Sequence, residues 1–165
     1  MTVDGTDFAI QEPTPFNPGW YSHKFCGPGL RYEVGVAIRE PAIVWTNGPF
    51  PCGSWPDLKI ARDCLLPSLD DGERIVADSG YKERTGVFKT PSGYHEIRDH
   101  QESELRARHE TVNRRFKCWG ALKKKYRHSS VTHGYVFHAI CNIVQLELDM
   151  GEGKVFDVVY EYSNE

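Results

Sequence analysis

Apolar and polar positions alternate over much of the first 50 residues, which is the pattern of half-buried β-strands. Residues 31–38 have the clearest alternation and are predicted as a strand. Its apolar positions are Tyr32, Val34, Val36 and Ile38. Residues 2–10 and 42–50 are rich in β-branched and apolar residues and predict two further strands, whereas the prolines and glycines of residues 11–31 predict a loop. The three strands are expected to form an antiparallel meander.

The spacing of apolar residues becomes helical in the second third of the chain. Residues 54–69 carry apolar side chains at helical spacing, with Ser54 as the predicted N-cap. Residues 73–81 are then a short apolar run, which predicts a buried strand that presents Asp78 at its end. Residues 86–90 are a candidate for one more short strand within an otherwise polar, turn-rich stretch.

Two long helices are predicted in the second half of the chain, at residues 101–126 and 133–149. The first has an apolar stripe at helical spacing. That stripe consists of Leu105, Val112, Phe116, Trp119, Leu122 and Tyr126. The second is apolar around most of its circumference, which predicts a buried helix, and residues 154–162 alternate like an edge strand.

This order of elements predicts a mixed α/β fold in a single domain over residues 1–165. Three antiparallel strands are followed by a helix, one or two further strands and the C-terminal helices. A mixed sheet covered by helices is the natural layered packing for such an order, which is compatible with the ribonuclease-H-like fold.

The composition is that of an ordinary globular protein rather than a membrane or disulfide-rich one. The apolar runs are too short for a membrane span, and no secretory signal is evident. The five cysteines are scattered and include no CxxC pair, so neither a zinc knuckle nor a disulfide framework is indicated. An intracellular protein with reduced thiols is the expectation.

The charge of the chain is unevenly distributed. Residues 106–127 hold nine basic residues and one acid, Glu110, whereas the rest of the chain holds 11 basic and 22 acidic residues. A basic segment in an acidic body is typical of a surface that faces a polyanion. A solvated helix balanced by nearby acids would have the same composition, so the charge alone leaves both interpretations open.

Three carboxylates have positions suited to metal-dependent phosphodiester chemistry. Mg²⁺ takes oxygen ligands that converge from separate elements, and two such ions can activate an attacking oxygen and stabilise a leaving one. Asp4 lies inside a predicted strand, Asp78 at the end of another and Glu110 on a helix. Each has an ordinary alternative: an Asp-Gly turn, the end of a strand, and surface ion pairs with the arginines four residues away on either side.

Six segments, in order, match the motifs of one known family. They are VDGTDFAI, YSHKF, GPFPCGSWPDLKIARD, IVADSGY, RHETVNRRFKCWGAL and HGYVFHAICNIVQLEL. On these segments the chain resembles the endonuclease domain of PIF/Harbinger-type transposases, a branch of the DDE superfamily, over nearly its whole length. Cys52 stands where the family motif has a proline.

The resemblance implies a ribonuclease-H-like, divalent-metal-dependent nuclease that acts on DNA. The acids of the family would fall at Asp4, Asp78 and Glu110, with Asp4 bridging two Mg²⁺ or Mn²⁺ ions and the other two acids holding one ion each. Lys24 and the basic helix would hold phosphates. The helix residues expected to contact DNA are Arg106, Arg114, Lys117, Lys123, Lys124 and Lys125. In a eukaryote such a protein is expected in the nucleus.

The sequence also departs from that family. Its members carry an upstream DNA-binding region, whereas this sequence begins three residues before Asp4. A separate DNA-binding protein that supplies target recognition is therefore a candidate partner. The alternative function is a catalytically silent, domesticated or truncated transposase-derived module that binds nucleic acid or protein.

Other candidate residues have weaker patterns. His133 and His138 are five residues apart, whereas metal ligation on one helix face prefers four, so core or surface roles are expected. Asp7 and Asp57 are candidates to assist the metal site, and turn or cap roles are the expected alternative. The sequence has neither a Gly-x-Ser-x-Gly elbow nor a Gly-x-x-x-x-Gly-Lys phosphate loop.

Overall fold

A computed structural model describes residues 1–91 and 96–151, and it describes residues 96–99, 101 and 102 by their backbone alone. Over these residues the chain has a mixed six-stranded sheet with helices packed against it. The strands are β1 (Thr2–Ala9), β2 (Tyr21–Ser22), β3 (Gly27–Val36), β4 (Ile43–Pro51), β5 (Ile75–Ala77) and β6 (Phe88–Lys89). The α-helices are α1 (Asp57–Ile60), α2 (Glu96–Phe116), α3 (Gly120–Lys123) and α4 (Ser130–Asp149). The predicted mixed α/β fold is confirmed.

Strand β1 lies in the middle of the sheet. It is antiparallel to β3, which is antiparallel to β4, so the predicted meander is confirmed. On its other side β1 is parallel to β5, and β5 is parallel to β6. The predicted loop over residues 11–31 is wrong at its end, because β3 begins at Gly27, where it pairs with β2.

The two faces of β1 contribute to different cores. Phe8 points towards α2 and α4 and belongs to a buried cluster with Phe116 and Phe137. Val3 points to the opposite face and belongs to a cluster with Leu65 and residues of β5. Since the side chains of a strand alternate between faces, these clusters show that helical segments cover both sides of the sheet at β1.

The helix predicted at residues 54–69 is shorter and less regular than its apolar spacing suggests. Helix α1 begins at Asp57 and continues as a π-helical turn and then a 3₁₀ turn, which ends at Ser68. Ser54 is not its N-cap, because Pro56 occupies that position without a side-chain cap. The Ser54 amide instead donates to the carbonyl of Gly19, which ties this segment to the loop before β2.

The continuous helix predicted at residues 101–126 is also wrong in its second half. Helix α2 ends at Phe116, and Trp119 is extended before α3 begins. The chain then returns to the sheet, where the Tyr126 amide donates to the carbonyl of Ala9 at 2.9 Å. A continuing helix would carry Tyr126 away from that strand. Leu122 and Tyr126 lie beyond the end of α2 but are still buried, so the apolar spacing of the sequence continues past the end of the helix.

Helix α4 begins three residues earlier than predicted, at Ser130. The hydroxyl of Ser129 accepts a hydrogen bond from the Thr132 amide, which satisfies one of the free donors of the first turn. In the described part of the chain, no helix is both long and apolar enough to cross a bilayer. The strand predicted at residues 154–162 lies outside the described residues.

Candidate active site

A pocket of about 370 Å³ lies between β1, the end of β5 and α2. The three predicted acids, Asp4, Asp78 and Glu110, all line it. Its lining also includes three cationic side chains, Lys24, Arg106 and Lys117. The fold therefore brings the candidate acids from three separate elements to one cavity, beside cations suited to an anionic ligand.

The pairing of β1 with β5 explains why Asp4 and Asp78 are neighbours. Val3 pairs with Ala77 in parallel register, so Asp4 and Asp78 are the next residues on adjacent chain segments. Asp78 also caps the 3₁₀ turn that follows β5, because its Oδ1 accepts from the Gly80 amide at 2.8 Å. Asp78 therefore closes its strand, as the ordinary alternative predicted, and it also lines the pocket.

Asp4 is the acid of the pocket whose ionisation the surroundings disfavour. Burial first, and then the charges of Asp78 and Asp57, raise the pKa of Asp4 to about 6, although Lys24 acts in the opposite direction. Burial and neighbouring acids disfavour the charged form of a carboxylate, and a cation bound beside it stabilises that form. Carboxylate oxygens are donors that Mg²⁺ and Mn²⁺ prefer, so the donor set fits such an ion.

The acids do not form a closed ligand cluster. Within the residues that the structure describes, no group of three or more acidic, histidine or cysteine side chains is arranged to hold one metal ion. Mg²⁺ is usually bound by one or two carboxylates, with water and phosphate supplying the remaining oxygens. A site of this type therefore does not require three protein ligands around a single ion.

Glu110 is exposed on the side of α2 that faces the pocket. The surface ion pairs considered from the sequence are not formed: no ion pair to Glu110 is present within the described part of the chain. Glu110 does interact electrostatically with Lys117. Partial burial, and after it the charge of Lys24, lower the pKa of Lys117, whereas Asp7, Asp4 and Glu110 raise it.

The basic residues predicted to bind nucleic acid divide into two sets. Lys24, Arg106 and Lys117 line the pocket. Arg114 and the lysines at positions 123–125 are exposed but are not part of its lining. The first set is therefore next to the candidate acids, and the second lies farther along the surface formed by the end of α2 and by α3.

Two residues of the pocket, His109 and Asn113, had no role assigned from the sequence. The Asn113 amide donates from Nδ2 to Oδ2 of Asp4 at 3.1 Å. His109 Nδ1 and the Thr2 hydroxyl are joined by a hydrogen bond of 2.9 Å. Both side chains are buried, and burial lowers the pKa of His109 to about 4. Their spacing, one residue before and three after Glu110, was the only signal in the sequence.

Asp7 and Asp57 lie behind the pocket and are bound to the same arginine. Arg31 donates to both carboxylate oxygens of Asp7, at 2.7 and 3.0 Å, and lies 3.4 Å from Oδ1 of Asp57. Burial raises the pKa of Asp7, but hydrogen bonds from Arg31 and Ser22 lower it further, to below its ordinary value. Neither acid lines the pocket, and neither side chain has the expected cap role.

The two histidines of α4 have the core and surface positions expected of them. His133 is fully buried, and its Nδ1 is 2.7 Å from the hydroxyl of Tyr32. Burial lowers its pKa to about 4. His138 is exposed. The five cysteines are free thiols in this structure.

A family model described as DDE superfamily endonuclease matches residues 3–145, a span that includes all three acids of the pocket. The chain belongs to this family of endonuclease domains, so the resemblance seen in the sequence motifs is confirmed. Comparison with curated proteins gives no match, and comparison with solved structures gives none either.

Proposed function

We propose that this chain is the divalent-metal-dependent catalytic core of a transposase-type DNA endonuclease, formed by residues 1–165 as one ribonuclease-H-like domain. The observation that carries the proposal is the common pocket of Asp4, Asp78 and Glu110. Membership of the DDE superfamily endonucleases supports a nuclease core of the transposase type. The meander of β1, β3 and β4, continued by parallel β5 and β6, supports the fold.

Asp4, Asp78 and Glu110 would hold two Mg²⁺ or Mn²⁺ ions, and the resemblance to the family implies that Asp4 would be the ligand shared by both. When bound, such ions activate the attacking oxygen and stabilise the leaving oxygen of a phosphodiester. The side chains supply negative oxygen ligands from a strand, a strand end and a helix. Asp4 and Asp78 are both half-buried, whereas Glu110 is exposed.

Cations around the pocket would bind the DNA backbone. Lys24, Arg106 and Lys117 line the same cavity as the acids, so a phosphate between them would be held next to the carboxylates. Contacts of this kind position DNA without reading its sequence. Arg114 and the lysines at positions 123–125 would extend the binding surface along the duplex, beyond the reacting phosphate.

The proposal is tested by nicking of supercoiled plasmid DNA with Mg²⁺, with Mn²⁺ and with a chelator. Nicking should require a divalent ion. Asp4→Asn, Asp78→Asn and Glu110→Gln should each abolish it, because each removes a negative ligand and keeps the size of the side chain. Asp63→Asn is the matched control, since Asp63 is exposed and pairs only with Lys59 among the described ion pairs. Full activity in chelator would contradict the assignment.

The second candidate is a non-catalytic module that binds nucleic acid or protein. It is favoured by the exposed basic residues that lie outside the lining of the pocket, Arg114 and the lysines at positions 123–125. This alternative predicts DNA binding without nicking in either metal, and binding that is unaffected by the three acid substitutions. Nicking that disappears in those variants would exclude it.

A further inference from the structure

We propose that Asn113 is a positioning residue that fixes the carboxylate of Asp4 in the pocket, an inference that rests on the proposed function. Its Nδ2 lies 3.1 Å from Oδ2 of Asp4, and both atoms belong to side chains on facing elements, α2 and β1. Asn113 itself is buried, so its amide has a fixed environment. One oxygen of Asp4 thereby accepts from a buried donor on the facing helix.

Among the residues whose side chains the structure describes, the contact is one of two side-chain hydrogen bonds that join α2 to β1. His109 bonds to Thr2, and Asn113, four residues later, bonds to Asp4, two residues later on the strand. Four residues of helix advance about 6 Å. Two residues of strand advance about 6.7 Å. Because these two lengths nearly agree, the helix and the strand can make both contacts at once when they run side by side.

Glu110 is carried by the same turn of helix as these two contacts. His109 immediately precedes it and Asn113 follows one turn later, so both flanks of Glu110 are bound to β1. A helix that is fixed at both points holds Glu110 at a set position along the strand that bears Asp4. The hydrogen-bond pair therefore sets the relative position of two of the candidate acids.

The chemistry of the Asn113 side chain fits this task better than that of an acid or a hydroxyl. An amide nitrogen donates to a carboxylate, whereas the amide oxygen would repel it, so the orientation of the amide is fixed by Asp4. Asparagine also brings no charge of its own beside Asp4 and Asp78. The Asn113 Oδ1 is buried without a hydrogen-bond partner among the described residues. A buried oxygen without a partner costs free energy, so the amide is held in this orientation at a cost in stability that the contact with Asp4 offsets in part.

The test measures Mn²⁺ affinity by electron paramagnetic resonance on the whole chain. Asn113→Ala should weaken Mn²⁺ binding about 10-fold or more, as is usual when a partner of a metal ligand is removed. In an Asp4→Asn background the same substitution should have no further effect, because its target carboxylate is gone. Arg115→Gln is the matched control, since it removes the ion pair of α2 with Glu147 away from the pocket and should leave Mn²⁺ affinity unchanged.

Circular dichroism melts accompany each affinity, and Asn113→Leu, which has a similar size and no donor, replaces the alanine variant if that variant does not fold. Equal Mn²⁺ affinity in the native protein and in the folded Asn113 variant would overturn the inference while leaving the proposed function intact. An equal loss in Arg115→Gln would overturn it too, since general loosening of α2 would then be the cause. Failure of the native protein to bind Mn²⁺ would overturn the proposed function and this inference together.

Discussion

The carboxylate of Asp57 occupies the space beside Gly5 into which any larger residue would project its side chain. A Cβ atom at position 5 would come within 3.0 Å of Asp57 Oδ1, closer than real Cβ atoms approach their neighbours. Gly5 directly follows Asp4 in β1, so the missing side chain lets the first residue of α1 lie against the strand behind the pocket. This proximity is also why the charge of Asp57 contributes to the raised pKa of Asp4.

We predict that Gly5→Ala destabilises the protein by about 1–3 kcal/mol, the usual cost of adding a methyl group to a packed site. The added Cβ displaces Asp57 from its place beside β1 and disturbs its ion pair with Arg31. Urea denaturation monitored by circular dichroism measures the change. Gly120→Ala is the control, because a Cβ there meets nothing within 4 Å. A midpoint for Gly5→Ala that equals the native one would refute the steric argument.

Glu33, which lies outside the pocket lining, makes the stability of the fold depend on pH. It is fully buried on β3, opposite Gly5, and its Oε2 accepts from the indole of Trp45 at 2.9 Å. Burial raises the pKa of Glu33 to about 7, with a smaller contribution from Asp57, while the Trp45 hydrogen bond acts in the other direction. The folded chain therefore holds this proton more tightly than the unfolded chain.

We predict that the contribution of Glu33 to native stability is lost as the pH rises from about 4.5 to 7, the window between its ordinary and its folded pKa. The lowered pKa values of His109 and His133 act in the opposite direction, so the comparison is with a Glu33 variant that keeps both histidines. Glu33→Gln should remove this part of the pH dependence and should be the more stable protein at pH 8, by up to about 3.5 kcal/mol at 1.4 kcal/mol per pKa unit. Urea denaturation at pH 5 and pH 8 gives the difference. Glu40→Gln, at an exposed position, is the control, and parallel pH dependence of the native and Glu33→Gln proteins would contradict the prediction.

The resemblance to the family implied that Asp4 and Asp78 belong to one site, and the short apolar run before Asp78 identified the strand that presents it. It also placed Glu110 on a helix, since the apolar stripe defines that helix before its break. The position of the break was missed because Leu122 and Tyr126 continue the apolar spacing, and only the return of Tyr126 to Ala9 requires the helix to end.

Other features depend on contacts between distant parts of the chain. Alternation in β3 identified the face of Tyr32 and Val34 as buried, but Glu33 is buried as well, because the segment around α1 covers the opposite face. Asn113 and Asp4 are 109 residues apart, and their hydrogen bond depends on how α2 lies along β1. Spacing within a single segment contains no information about such a relationship, so these residues could not be assigned from the sequence.

We predict that the affinity for Mn²⁺ rises with pH through about 6, the raised pKa of Asp4. A metal ligand must be deprotonated, so below this pH the ion competes with a proton and its binding releases that proton. Titration calorimetry at pH 5.5, 6.5 and 7.5 measures the affinity, and two buffers of different ionisation enthalpy count the protons released. Glu33→Gln should retain this dependence, which separates Asp4 from the other acid that titrates nearby. Constant affinity across the range would mean that Asp4 is not a ligand.

Two sets of lysines should contribute differently to DNA binding and to cleavage. Lys24 and Lys117 line the pocket, whereas the lysines at positions 123–125 are exposed outside it. Each phosphate contact contributes about −0.9 to the slope of log affinity against log salt. If every lysine contacts one phosphate, the slope should flatten by about 1.8 in the Lys24→Gln, Lys117→Gln double variant and by about 2.7 in the triple glutamine variant of residues 123–125.

Cleavage at saturating DNA separates the two sets, and it is the sharper measurement. The double variant should nick more slowly even when all of the protein is bound, because the phosphate beside the acids is no longer held. The triple variant should reach the native rate at saturation, because its lysines act only on affinity. Lys82→Gln, at an exposed position outside the pocket lining, is the control for loss of charge alone.

An unchanged salt slope in the triple variant would identify those lysines as ordinary solvated surface, since exposed charges contribute only about 0–1 kcal/mol through their ion pairs. An unchanged saturating rate in the double variant would mean that the cations of the pocket do not hold the reacting phosphate.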